Sequence, residues 1–153
     1  MADPNPTVSC QCGAVSFHTS QPKPIAIYVC HCTECRKQSS SAFGTSAIFP
    51  SKGMWPLPDD VQPKLGMWSR ISDKGTTVEC YFCKNCGVRL LHRALEKDGK
   101  PRPNLTVKAG VLTGFTLEGA KHIWTKSAVM PVPEGVESYL ESPEGSDNED
   151  EKN

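Results

Sequence analysis

Apolar and polar residues alternate along most of the chain, in short runs that predict β-strands. Val15 and Phe17 lie between polar neighbours, and Ile25, Ile27 and Val29 follow the same two-residue period. Further strands are predicted at residues 43–49, 66–71, 76–82, 88–92, 105–109 and 121–125. Because 12 glycines and 13 prolines break the chain between these runs, the pattern predicts a mainly β domain of short strands joined by turns.

Only residues 33–40 have the composition of a helix, and that helix is short. A second helical turn is predicted at residues 135–140. Residues 50–63, rich in proline, lysine and aspartate, are predicted to form a surface loop, and residues 93–103 a second one. No apolar run approaches the roughly 20 residues that a transmembrane helix needs.

The chain of 153 residues has the length of one domain. We predict a disordered leader at residues 1–6, a domain at residues 7–140 and an acidic disordered tail at residues 141–153. The whole chain has 17 basic and 17 acidic residues, and its tail holds six of the acids and one base. The remainder, with 16 bases and 11 acids, is too weakly basic to indicate nucleic-acid binding. With no secretory signal or membrane segment recognised, we expect a cytoplasmic protein with no membrane partner; its oligomeric state is open.

Eight cysteines fall into three clusters. In a reducing compartment, clustered cysteines indicate metal ligands before disulfides. The two outer clusters supply one closed four-thiolate zinc site, which we assign to Cys10, Cys12, Cys83 and Cys86. The warrant is that Gly13 and Gly87 each follow the second cysteine of a pair, where glycine allows a left-handed backbone that aims amide hydrogens at sulfur. The alternative is that some of these residues are ordinary buried thiols.

The middle cluster offers three thiolates within six residues: Cys30, Cys32 and Cys35. Three protein ligands and an open position are typical of a catalytic zinc site. Arg36 and Lys37 follow directly, and their charges would balance a tris-thiolate zinc or receive the carboxylates of a ligand. The alternative is a second closed site, with Cys80 or His31 as the fourth ligand. Cys80 lies three residues before Cys83, and this odd spacing puts the two on opposite faces of a strand.

Several motifs along the chain resemble those of one family. They are Cys10-x-Cys12-Gly13-x-Val15-x-Phe17, Cys30-His31-Cys32-x-x-Cys35-Arg36-Lys37, Phe82-Cys83-x-x-Cys86-Gly87, Ala109-Gly110-x-Leu112 and His122-Ile123. From about residue 8 to residue 140, the chain resembles the glutathione-dependent formaldehyde-activating enzymes, whose domain is shared with centromere protein V.

This resemblance implies a fold of the β-tent type, with small zinc-stapled antiparallel sheets and a short helix after the middle cysteine cluster. It implies two Zn²⁺ per chain: a structural zinc on the four outer cysteines, and a more labile, catalytic zinc on the three middle ones, near which glutathione binds. The activity implied is that of a carbon–sulfur lyase acting on glutathione or a glutathione conjugate.

The electrophile and the catalytic role itself are left open. The chain departs from the usual family pattern at residues 39–41, 112–113 and 130–131, where a substrate pocket could be lined, so the substrate could be a conjugate larger than that of formaldehyde. His31, between two proposed ligands, could act as acid or base at the open site. The alternative function is a non-catalytic, zinc-stabilised protein-binding module.

Overall fold

The computed structural model describes residues 3–143 and contains nine short β-strands, one α-helix and three 3-10 helices, at Gln62–Lys64, Ala109–Val111 and Thr125–Ser127. The strands are β1 (Thr7–Ser9), β2 (Ser16–His18), β3 (Ala26–Cys30), β4 (Gly44–Pro50), β5 (Leu65–Ile71), β6 (Thr77–Cys83), β7 (Arg89–Leu95), β8 (Pro101–Lys108) and β9 (Lys121–Ile123), and the helix is α1 (Thr33–Ser39). The predicted mainly β fold, with a short helix after the middle cysteine cluster, is confirmed.

The strands form a small sheet and a large one. Strands β1 and β2 pair antiparallel, with Val8 opposite Phe17. The other seven strands form one sheet in the order β5-β6-β7-β8-β4-β3-β9. Neighbouring strands in this sheet are antiparallel except β3 and β9, which run parallel. The large sheet therefore brings β3, which ends at Cys30, beside β4 and β9.

One face of the large sheet packs against the small sheet to form the core. Val8 and Phe17 meet Phe49, Leu91 and Val107 there, and each of these side chains is buried. Burial of a side chain of this size stabilises the folded state by about 1.5–3 kcal/mol. The predicted surface loop at residues 50–63 also contributes to the core, through three buried apolar residues: Met54, Leu57 and Val61.

The opposite face of the large sheet carries polar and reactive side chains. Side chains of residues opposite each other in neighbouring strands lie on the same face, and Tyr28 pairs with Ser46, which pairs with Lys108. Because alternate residues share a face, Cys30 lies on the same side as Tyr28. We call this surface the tri-Cys face; by the same rule it includes Cys30, Tyr28, Ser46, Lys108, Thr106, His92, Cys80 and Trp68.

A β-bulge in β7 changes which side chains reach the tri-Cys face. Tyr81 of β6 pairs with Leu91, whereas the next residue, Phe82, pairs with Arg89. The skipped Leu90 and its neighbour Leu91 are both fully buried, so both contribute to the core. The bulge thereby returns the Arg89 side chain to the tri-Cys face.

Two predicted segments differ from the structure. The helical turn expected at residues 135–140 is wrong: Ser138 forms a parallel bridge with His122, and the Tyr139 amide donates to the His122 carbonyl at 2.9 Å. Backbone pairing with an edge strand outcompetes the helical tendency here. The loop expected at residues 93–103 is also wrong at both ends, because β7 continues to Leu95 and β8 begins at Pro101.

The predicted domain boundaries stay a prediction, although residues on both sides of them contact the fold. Asn5 Nδ2 donates to the Thr19 carbonyl at 2.9 Å, and the Trp124 amide donates to the Glu141 carbonyl at 3.1 Å. The rest of the predicted acidic tail, from residue 144, lies outside the described residues. Within residues 3–143, no helix has the length and apolar character needed to cross a membrane.

Candidate metal centres

The four outer cysteines come together as predicted. The Sγ atoms of Cys10, Cys12, Cys83 and Cys86 all lie within 4.8 Å of one another. The Cys10–Cys12 and Cys12–Cys83 sulfur distances are 3.6 and 3.8 Å. A tetrahedron with Zn–S bonds of about 2.3 Å has S–S edges of about 3.8 Å, so this cluster can hold a metal ion such as zinc.

The two cysteine turns share one backbone geometry. Gly13 and Gly87 both have φ of +79°, the left-handed region that favours glycine. A Cβ atom at either position would meet nothing within 4 Å, so glycine is needed for conformation and not for space. The Gly13 amide bonds back to the Cys10 carbonyl at 3.1 Å, and the Gly87 amide to the Cys83 carbonyl at 2.8 Å. The left-handed glycines expected from the sequence are confirmed.

Hydrogen bonds lower the pKa values of Cys12 and Cys86 in this cluster, whereas the pKa of the Cys83 thiol is raised. The Asn85 side chain and the Ala14 amide lower the pKa of the Cys12 thiol to about 6. The Val15 amide donates to Cys10 Sγ at 3.3 Å. Since metals bind thiolate and not thiol, the lowered pKa values of Cys12 and Cys86 favour metal binding.

The middle cysteines form the second cluster, at the junction of β3 and α1. The Sγ atoms of Cys30, Cys32 and Cys35 lie within 4.8 Å of one another. Cys32 is the N-cap residue of α1, and its Sγ atom accepts a hydrogen bond from the Cys35 amide at 3.3 Å. The sulfurs of Cys30 and Cys35, together with backbone amides, lower the pKa of Cys32 to about 2, while contacts with Cys32 and Cys35 raise the pKa of Cys30. The trio alone therefore favours one thiolate, and a divalent cation is needed to hold three.

This second cluster has three members among residues 3–143. Neither Cys80 nor His31 belongs to it, so the geometry does not support the alternative of a closed site completed by one of them. Cys80 is fully buried on β6, and burial raises its pKa. Cys83 packs in the core whereas Cys80 does not, which agrees with the odd spacing of the two.

His31 makes a contact that the sequence did not predict. Its ring is fully buried, and its Nε2 atom lies 2.9 Å from Nδ1 of His122. Burial lowers the pKa of both rings, so the contact joins two neutral imidazoles, one donating to the other. The Nδ1 atom of His31 is buried without a hydrogen-bond partner among residues 3–143.

The two basic residues after Cys35 lie on α1. Arg36 Nη2 donates to Thr33 Oγ1 at 3.3 Å, and Arg36 Nε is buried without an acceptor in the described part of the chain. Lys37 is exposed. Neither pairs with a carboxylate of residues 3–143, so both cations remain available to an anionic ligand.

Lys108 is a buried cation that the sequence analysis missed. Its side chain is 7% exposed, and Nζ donates to the hydroxyl of Ser46 at 3.1 Å. Burial lowers the pKa of Lys108, whereas nearby Cys35 and Cys30 raise it. Three thiolates around Zn²⁺ would leave a net charge of −1, which this ammonium group can balance. In the sequence, Lys108 alternates with Leu105 and Val107 like any residue on a solvent face, so no signal separated it from a surface lysine.

A cavity of about 230 Å³ opens on the tri-Cys face. Its lining is mixed: Ile48 and Val78 supply apolar surface, and Tyr28, His92 and Thr106 supply polar groups. The cavity and the three-cysteine cluster therefore share one side of the large sheet.

Comparison with protein families identifies the chain. The family profile described as glutathione-dependent formaldehyde-activating enzyme matches residues 5–127. The chain belongs to this family. The match includes the seven cysteines of the two candidate metal centres, so a glutathione-related activity is supported for the domain that holds them. Among curated proteins, no individual sequence matches the chain.

The stability of the protein should fall in mild acid because of His92. Burial and the nearby cations Lys108 and Arg89 hold the pKa of His92 well below its usual value. Below about pH 6.5 the unfolded chain therefore binds a proton that the folded protein does not, and stability falls as pH decreases, by at most about 1.4 kcal/mol per pH unit for this one group.

His92→Gln should reduce this loss, since its amide oxygen can still accept a hydrogen bond and does not titrate. Urea unfolding followed by circular dichroism at pH 7.5, 6.5 and 5.5, with zinc in excess, measures the effect. Equal pH dependence in the variant and the wild type would contradict it.

Proposed function

We propose that the protein is a zinc-dependent carbon–sulfur lyase that acts on glutathione or a glutathione conjugate at the three middle cysteines. The observation that carries the proposal is that Cys30, Cys32 and Cys35 converge with no fourth protein ligand among residues 3–143. Catalytic zinc sites typically have three protein ligands and leave one position for substrate. Membership of a glutathione-dependent family supports a thiol as the occupant of that position.

The proposed reaction is the reversible addition of a thiol to a carbonyl carbon. Zinc held by the three cysteines would keep a bound thiol deprotonated near neutral pH. As the S–C bond forms, the π electrons of the carbonyl move to its oxygen, which takes up the proton that the thiol released. In the lyase direction the hydroxyl proton leaves, the carbonyl re-forms and the S–C bond breaks. No electrons are gained or lost overall.

Residues near the cluster would manage charge and protons in this reaction. Lys108 balances the negative charge of the thiolates from the sheet side. The unpartnered Nδ1 of buried His31 is suited to carry the proton between thiol and oxygen, with His122 holding the opposite ring nitrogen. The cavity on the tri-Cys face gives room for an electrophile larger than formaldehyde.

The four outer cysteines are proposed to hold the structural zinc. They come from two turns far apart in the sequence. Together they supply all four ligands of a tetrahedral zinc site, so no coordination position is left open for a substrate. This zinc would join the β1–β2 turn to the β6–β7 turn and take no part in the reaction.

Metal lability separates the enzyme from a binding module. The enzyme proposal predicts two zinc ions per chain, of which one leaves first under a mild chelator and takes glutathione binding with it. Zinc release measured with a chromophoric chelator, with glutathione titrated into samples at each stage, tests this. Two equally tight ions, with no glutathione binding by the fully loaded protein, would favour the zinc-stabilised protein-binding module.

Arg36 and Lys37 are proposed to receive a carboxylate of the thiol ligand. The guanidinium of Arg36 suits bidentate binding, and its Nε has no acceptor among the described residues. A charge-assisted hydrogen bond contributes about 1.5–3 kcal/mol, so Arg36→Ala should weaken glutathione binding by roughly 10- to 150-fold while zinc stays bound.

Isothermal titration with glutathione and zinc quantification on the same preparation test the role of Arg36. Lys37→Ala, which removes an exposed point charge from the same helix, is the matched variant and should have the smaller effect. Unchanged glutathione affinity together with depleted zinc would show that Arg36 balances the thiolate charge and does not anchor the ligand.

A further inference from the structure

We propose that Arg89 on the tri-Cys face forms a second carboxylate-binding subsite. Arg36 and Lys37 of α1 would bind one carboxylate of the thiol ligand, and Arg89 would bind the other. We call Trp68, Arg70, Arg89 and His92 the Arg89 subsite. The proposal rests on the proposed function, because it assumes that a thiol bearing two carboxylates, such as glutathione, binds at the three middle cysteines.

The position of Arg89 is fixed by the fold. The β-bulge at Leu90 returns the Arg89 side chain to the same face as Cys30. Its Nη1 atom lies 3.1 Å from Nε2 of His92, and its Cζ lies 5.9 Å from the centroid of the Trp68 ring. A guanidinium held by a ring nitrogen on one side and an aromatic ring on the other is preorganised, so binding a carboxylate costs it little conformational entropy.

The charge of Arg89 is not neutralised by its partners. A guanidinium only donates hydrogen bonds, so Nε2 of His92 must be the acceptor and the His92 ring is neutral. Lys108, another cation on this face, donates to the neutral hydroxyl of Ser46. Arg89 pairs with no carboxylate of residues 3–143.

The surroundings of Arg89 carry an excess of positive charge. Arg70 Nε lies 3.9 Å from Glu34 Oε2 of α1, whereas neither Arg89 nor Lys108 forms an ion pair with a carboxylate of residues 3–143. A zinc with three thiolates would remove one of the two remaining charges, and a ligand carboxylate at Arg89 would remove the other.

The Arg89 subsite is also accessible and linked to the cluster. Trp68 is 53% exposed and Arg89 is only partly buried, so a ligand can reach the guanidinium and lie against the indole. Lys108 lies on β8, and the strand order β7-β8-β4-β3 puts it between Arg89 on β7 and Cys30 on β3. A thiol ligand whose sulfur binds at the middle cysteines would therefore have Arg89 on the same face of the sheet to receive its second carboxylate.

The test is a double-mutant cycle between protein and ligand. Wild-type protein and Arg89→Gln, both loaded with zinc, are titrated calorimetrically with glutathione and with its dimethyl ester, whose carboxylates are masked. Arg89→Gln should weaken glutathione binding by about 10- to 100-fold and leave ester binding unchanged. Arg89→Lys, which keeps the charge and loses the planar fork, should bind glutathione with intermediate affinity. Lys100→Gln removes one exposed positive charge at the turn between β7 and β8 and should change neither affinity.

The possible outcomes separate the subsite from the function on which it rests. Equal weakening of glutathione and ester by Arg89→Gln would mean that Arg89 supports the fold and recognises no carboxylate. Equal affinity of the variant and the wild type for glutathione would also overturn the subsite, while the lyase proposal would stand. If the zinc-loaded wild type binds neither ligand, the thiol-based function fails and the subsite fails with it.

Discussion

Cys86→Ser should yield insoluble or unfolded protein. Cys86 is one of four converging sulfurs, and its loss would leave three ligands for a metal that joins two turns far apart in the chain. Structural zinc contributes on the order of 10 kcal/mol of apparent folding free energy, whereas the net stability of a domain is about 5–15 kcal/mol. Losing most of the zinc contribution would therefore remove most or all of the net free energy of unfolding. Soluble yield, circular dichroism and zinc content measure the result.

Cys80→Ala is the matched control for Cys86→Ser. It also removes one thiol of β6, in the middle of the strand, but Cys80 belongs to neither cluster. We expect it to fold, to keep both zinc ions and to lose only about 1 kcal/mol. A folded Cys86→Ser variant with an unchanged melting temperature would exclude Cys86 from the metal shell.

Cys35→Ser should have the opposite pattern, with the fold retained and activity lost. Its cluster lies within β3 and the first turn of α1, so holding a metal there closes no long loop and contributes little to global stability. Zinc content should fall from two ions per chain to one, and thiol binding should be abolished, while the circular dichroism spectrum stays that of the wild type. If Cys35→Ser unfolds the chain as severely as Cys86→Ser, the middle cluster is structural and the lyase proposal is wrong.

The strands and both cysteine clusters could be predicted because they are determined by short sequence patterns. Alternation in residues 25–29 and 43–49 matches β3 and β4 within one or two residues. The pairing of the outer clusters followed from two glycines in equivalent places, and these have the same φ angle in the structure. Such features depend on a residue and its immediate neighbours, which a single sequence shows directly.

The features that were missed depend on contacts between distant segments. Residues 135–140 are extended because they pair with His122, a partner that local composition cannot indicate. Lys108 looks like a surface residue until β4 and β3 are placed beside it. Arg89 reaches the tri-Cys face because of one skipped residue in the pairing of β6 with β7, and the strand pattern alone would have put the side chain in the core.

The two cysteine clusters differ in how much of the chain must be synthesised before each is complete. The middle trio is finished once residue 35 has left the ribosome, so it can capture a metal before the large sheet exists. The outer site needs Cys86 as well as Cys10, and it cannot close until more than half of the chain is made. During synthesis the proposed catalytic cluster is therefore the first to be complete, and the site that joins the two sheets follows it.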